Sequence, residues 1–179
     1  RDIFWAVVGV TIGFLLSLAL QYGMMDKDIF FLKGKEKNQI FSYLKEMQPI
    51  EERFYKVLDE NLKFMNQEDG KSSDDLAFLD ENLKVLDEIF LDAVGIDTNV
   101  YILENHTLFL EEIETLKNVM WERQFALRHN DPSGLNKAKL YFEKFLLVAE
   151  ARRIALNKIL QQHDIPYVDL GNKIKYKIK

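Results

Sequence analysis

The sequence predicts an all-α protein: an N-terminal single transmembrane helix followed by an antiparallel three- to four-helix bundle. Three observations lead there. An uncharged apolar run fills the front of the chain from Ile3 to Met25. Behind it, apolar residues recur at steps of three and four, the spacing that stacks side chains along one helical face. The 179 residues hold 3 Pro and 8 Gly, few enough to leave long regular elements intact. The division that follows is an anchor over 1–25, a juxtamembrane linker over 26–37, a bundle domain over 38–163 and a basic tail over 164–179.

The front run reads IFWAVVGVTIGFLLSLALQYGMM. At ~1.5 Å per residue, about 20 apolar residues cross the ~30 Å hydrocarbon core of a bilayer. Trp5 and Tyr22 lie near its two ends, where amphipathic rings favour the interface. Ser17-Leu18-Ala19 has the small-x-small form of a cleavage site, but the run is read here as an uncleaved anchor. Gly9, Gly13, Ser17 and Gln21 recur every four residues on one face. Small residues let a second helix approach closely, and a polar one can hydrogen-bond across the contact. These four form the expected helix-packing interface, for other membrane subunits or for a copy of the same chain.

Orientation rests on opposing cues. Lys27, Lys33, Lys35 and Lys37 follow the run and favour a cytoplasmic domain, but long domains cross largely regardless of charge. Arg1 is not an initiator Met, so further residues are expected ahead of it. An N-terminal anchor before a cysteine-free domain favours an extracytoplasmic placement, with an organellar inner membrane also compatible.

Gly34–Asn38 (GKEKN) is expected as a charged link. Ile40, Tyr43, Leu44, Met47, Phe54, Val57, Leu58, Leu62 and Met65 then form a stripe interrupted by Pro49. A short helix, a kink or restart at Gln48-Pro49 and a helix to about Asn66 are expected, with Glu51 and Glu52 in the new first turn. Ser73 is a good N-cap for the next helix, whose stripe is Leu76, Leu79, Leu83, Leu86, Phe90 and Val94, with Gly95 as its stop. A third helix, capped at Thr98 or Asn105, runs to about His129 through Leu108, Phe109, Ile113, Leu116, Met120 and Leu127. Asp131-Pro132 opens the fourth, since Asp is a strong N-cap and Pro suits the first helical position. Its stripe is Leu135, Ala138, Phe142, Phe145, Ala149, Leu156 and Ile159, and Ile165-Pro166 closes it.

The tail alternates Lys173, Lys175, Lys177 and Lys179 with Ile174, Tyr176 and Ile178, the period of a strand. It is expected to add to a partner's sheet edge, to lie on an anionic membrane surface or to remain a solvated terminus.

Chemistry is sparse. No cysteine is present, which removes disulfides, zinc–thiolate sites and thiol catalysis. A formal charge of −5 disfavours nucleic acid as a partner. His106, His129 and His163 show no metal-binding spacing, and the last two suit helix C-termini. Asp80, Glu81, Asp87, Glu88, Asp92, Glu111, Glu112 and Glu114 fall between apolar positions and are expected on the solvated faces. Glu68–Asp75 lacks the calcium-loop order, and no nucleophile elbow, P-loop or dinucleotide fingerprint occurs. The 13 Phe are read as core volume. One of Arg152 and Arg153 is expected to reach an acidic partner helix.

Neither a catalytic residue nor a cofactor or metal site is expected. The function these features suggest is a non-enzymatic single-pass membrane subunit, a scaffold or docking module in a larger complex. The competing expectation is a bundle-type sensor or ligand-binding ectodomain, which would normally return to the membrane; no second apolar run follows Pro166.

Overall fold

The computed structural model describes residues 34–64, 73–171 and 174–176. The chain divides into two units, Arg1–Gln39 and Ile40–Lys179. In the first, residues 34–39 are helical. The packing below is that of the second.

Among the described residues there are four helices: α1 over 34–64, α2 Ser73–Val94, α3 Leu103–His129 and α4 Pro132–Gln162. A hairpin of β1 (Tyr167–Asp169) and β2 (Ile174–Tyr176) follows. Cross-helix pairs fix the directions. Arg53 pairs with Asp92 and the Phe64 and Phe78 rings meet at 4.8 Å, so α1 and α2 run antiparallel. Lys117–Asp87 at 2.8 Å and Arg128–Asp80 at 3.1 Å set α3 against α2 in the same way. Lys144–Glu111 at 2.9 Å and Lys137–Glu122 at 4.0 Å do so for α4 and α3. Phe54 contacts Phe145 while Glu51 binds Arg152, which closes the ring between α1 and α4. This is an up-and-down four-helix bundle.

The centre is aromatic and aliphatic. Phe54 and Phe109 are fully buried with centroids 5.3 Å apart, edge to face, and Ile40, Leu44, Met47, Leu79, Leu86, Ile89, Ile113 and Leu116 surround them. Each such side chain contributes about 1.5–3 kcal/mol by leaving water.

Helix α1 passes through Pro49 without the expected restart. Proline in a helix interior costs ~3 kcal/mol or more. Pro49 sits on the exposed side, where water can satisfy the freed carbonyl, while Tyr43, Leu44 and Met47 before it and Ile50 and Phe54 after it are buried on one continuous face. That burial outweighs the local penalty. Residues 34–37 of the expected linker are likewise helical.

Other boundaries follow local chemistry. Asp131 is the N-cap of α4, accepting from the Ser133 backbone N–H at 2.9 Å, with Pro132 next. Gly95 lies in the turn just past α2. Helix α3 starts at Leu103, not at a cap on Thr98 or Asn105; the Asn99 carbonyl accepts from Ile102 and Leu103, and its side chain from the Tyr101 N–H. Asn130, at φ 50°, ends α3 in the left-handed conformation that Asn tolerates.

The period-two reading of the tail holds at β2, but its partner is the chain's own β1, with Tyr167 opposite Tyr176. Ile174 and Tyr176 pack on the bundle core, so this part of the tail is not a solvated terminus. Lys175 is exposed; Lys173, Lys177 and Lys179 lie outside the described residues. So does the run Ile3–Met25 with Gly9, Gly13, Ser17 and Gln21, and no described helix is long and apolar enough to cross a membrane.

The α3–α4 corner closes on a glycine. A Cβ on Gly134 would lie 2.7 Å from the Glu122 carbonyl oxygen and 2.9 Å from Ala126 Cβ. We expect Gly134→Ala to destabilise the bundle by about 1–3 kcal/mol in chemical denaturation. Gly95→Ala, whose Cβ comes no nearer than 3.4 Å to its neighbours, should stay within about 0.5 kcal/mol of the parent. Equal effects of the two would contradict this packing.

Candidate functional site

The densest polar chemistry lies inside the bundle. Arg152 of α4 is buried at a position set by the same spacing as Phe145, Val148, Leu156 and Ile159. Its guanidinium lies over the Phe109 ring, 4.3 Å from the centroid. Nη1 donates to Glu112 of α3 at 3.0 Å, and Nη2 to Glu51 of α1. Tyr55 stands 3.5 Å from Nη1. Tyr176 of β2 donates to the second Glu51 oxygen at 3.0 Å, so the hairpin joins the cluster. Asn105 donates to the Arg152 carbonyl at 3.3 Å. One guanidinium thereby connects three helices and the hairpin, using the fork geometry that suits Arg to carboxylates.

Electrostatics follow from burial. The side chains of Arg152 and Glu112 are each 4% exposed. Burial pushes the Glu112 carboxyl up, and Arg152 pulls it back. Burial also opposes the Arg152 charge, but Glu112 and Glu51 more than restore it, leaving its pKa well above the ordinary value. The phenols are held neutral. Burial pushes Tyr55 up to about 12 against the pull of Arg152, and raises Tyr43 and Tyr176 further. Tyr43 Oη and His106 Nδ1 are 3.2 Å apart, and burial followed by the nearby Arg152 lowers the His106 pKa. A neutral imidazole beside a neutral phenol avoids a second cation next to the guanidinium.

A cleft of about 430 Å³ opens between α1 and α4. Phe54, Leu58, Leu62, Phe142, Leu146 and Ala149 give it apolar walls, and Arg152 and Glu112 also line it. Its size suits a small molecule. The Arg152 charge in its wall is already balanced by two carboxylates, so the cluster offers no free cation to an anionic ligand. Among the described residues, no group of three or more His, Asp or Glu is placed to hold a metal ion.

The expectation that one of the two arginines reaches acidic partners is met by Arg152. Arg153 instead binds Glu150 and, in the hairpin, Asp169. The expectation for Glu112 is overturned: it is buried, not solvated, because it occupies the inward position between Phe109 and Leu116. Glu51, expected as a first-turn residue behind Pro49, is the second carboxylate of the cluster. The signal for both was a charged residue at stripe spacing. Asp80, Asp87 and Asp92 form rim pairs with α3 and α1. His129 ends α3 and His163 follows α4, the C-terminal places expected of them.

Comparison of the chain with protein families, curated proteins and solved structures finds no match.

Removing one member of a buried ion cluster strands the others. Arg152→Met should cost about 3–5 kcal/mol in chemical denaturation followed by circular dichroism. Combining it with Glu112→Met and Glu51→Gln should restore most of that loss, since no buried charge is then left unpaired. A single variant of parental stability, or a triple variant as weak as the single, would contradict the assignment.

Proposed function

We propose that the chain is a non-enzymatic, single-pass membrane subunit whose bundle serves as a rigid docking module in a larger membrane complex. The observation that carries this reading is an exposed aromatic pair on α3: Trp121 and Phe125, one turn apart, are 61% and 43% exposed. Large aromatics on a rigid helix supply much contact area for little lost entropy, which is why they dominate interface energies. The uncharged run Ile3–Met25 supports the anchor, and its Gly9, Gly13, Ser17 and Gln21 face supports packing against other membrane helices. The domain is placed outside the cytoplasm in this reading. The cleft between α1 and α4 is the foothold of the sensor alternative; docking is preferred because the Arg152 charge in its wall is balanced by Glu112 and Glu51 while the large aromatics face outward.

The test is co-purification of the membrane-extracted full chain with its neighbours. Gly9→Ile/Gly13→Ile and Trp121→Ala/Phe125→Ala should each lower the yield of bound subunits several-fold, with helical content unchanged by circular dichroism. Unchanged co-purification in both double variants would overturn the proposal.

A further inference from the structure

The outer face of α4 is apolar in a regular way. Leu140, Leu147 and Ile154 are 65%, 73% and 56% exposed and stand seven residues apart. Positions seven apart drift by only ~20° around a straight helix, so the three form one line. Ala151, also exposed, lies on the same face. The opposite side of α4 carries the buried Phe145, Val148, Arg152 and Leu156. The line therefore contributes nothing to the bundle's own core.

Its edges carry opposite charges. At 100° per residue, Lys144 falls to one side of Leu147, and Glu143 and Glu150 fall to the other. Lys144 and Glu150 are already paired within the chain, to Glu111 and Arg153, but these side chains are about half exposed. Such pairs are weak and exchange readily.

We infer that two copies of the chain associate in parallel through this face of α4. A two-fold axis parallel to the helices sets Leu140, Leu147 and Ile154 each against its own counterpart, as in coiled-coil layers. The same axis brings the Lys144 edge of one copy to the Glu143 and Glu150 edge of the other. A parallel pair also places both Ile40 ends at the same end of the assembly. That is what two chains anchored through Ile3–Met25 in one bilayer require, and in this respect the inference rests on the anchor reading. Three large side chains are a small contact. Anchoring in one membrane compensates by raising the effective concentration of each copy for the other.

The chain has no cysteine, so single substitutions report position cleanly. Leu140→Cys, Leu147→Cys and Ile154→Cys are introduced separately into the full chain, reconstituted in phosphatidylcholine vesicles and mildly oxidised. All three should form disulfide-linked dimers, and Lys84→Cys on the exposed side of α2 should not. Lys144→Glu should lower cross-linking at Cys-substituted position 147 several-fold, and adding Glu143→Lys and Glu150→Lys should restore it. Linking through Leu147→Cys alone would overturn the parallel arrangement, and no linking at any of the three would overturn the dimer. Lost cross-linking with intact co-purification of other subunits removes this inference and leaves the docking proposal standing.

Discussion

The fold depends on one buried cation. Arg152 sits between Glu112 and Glu51, against the Phe109 ring, where its charge would be prohibitive without both carboxylates. Because those partners come from α3 and α1, both terminal nitrogens of the guanidinium find carboxylates only when three helices are in register. Apolar stripes alone would let helices slide by a turn at modest cost, since Leu against Leu is much alike at neighbouring layers. A buried ion cluster penalises every slipped alternative. Such clusters can add little net stability over an apolar core of equal volume. In this bundle we assign the cluster the role of fixing alignment, with most of the stability coming from Phe54, Phe109 and their aliphatic surroundings.

The hairpin extends the same logic. Tyr176 donates to Glu51, Arg153 reaches Asp169, and Asn157 donates to Asp169 at 2.9 Å, so the segment after α4 is tied to the outside of the cluster. Asp169 also accepts from the Gly171 N–H at 2.8 Å, and Gly171 takes φ +82°, which a glycine adopts freely. Arg152, Glu112 and Glu51 thus point inward, and Asp80, Asp87 and Asp92 pair along the rims. The outward sides of α3 and α4 keep Trp121, Phe125, Leu140, Leu147 and Ile154 in water. Exposure of this kind is costly to keep without a partner, and it is the physical basis of both proposals above.

Helix order and most boundaries were legible because they depend on local chemistry: Asp131-Pro132 at the start of α4, Gly95 after α2, and stripes at helical spacing. The restart expected at Pro49 is absent because the effect of a proline is decided by which side of the helix faces water, a tertiary fact. Glu112 misled for a related reason. Charge argues for solvent, and only the presence of Arg152 on a helix 40 residues away makes burial affordable. Leu135 was placed in the core stripe yet is 50% exposed. The strand period around Ile174–Tyr176 was visible in the sequence, but its partner was not, because pairing between Tyr167 and Tyr176 depends on how the chain turns at Gly171.

If the Arg152 cluster fixes alignment, it joins α1, α3 and α4 into one cooperative unit. Amide hydrogen exchange on the full chain tests it most directly, since exchange resolves which segments open together. Amides near Glu51 in α1, Glu112 in α3 and Arg152 in α4 should exchange last and with one common free energy of opening. Exchange of α1 around Glu51 well ahead of α3 and α4 would contradict it.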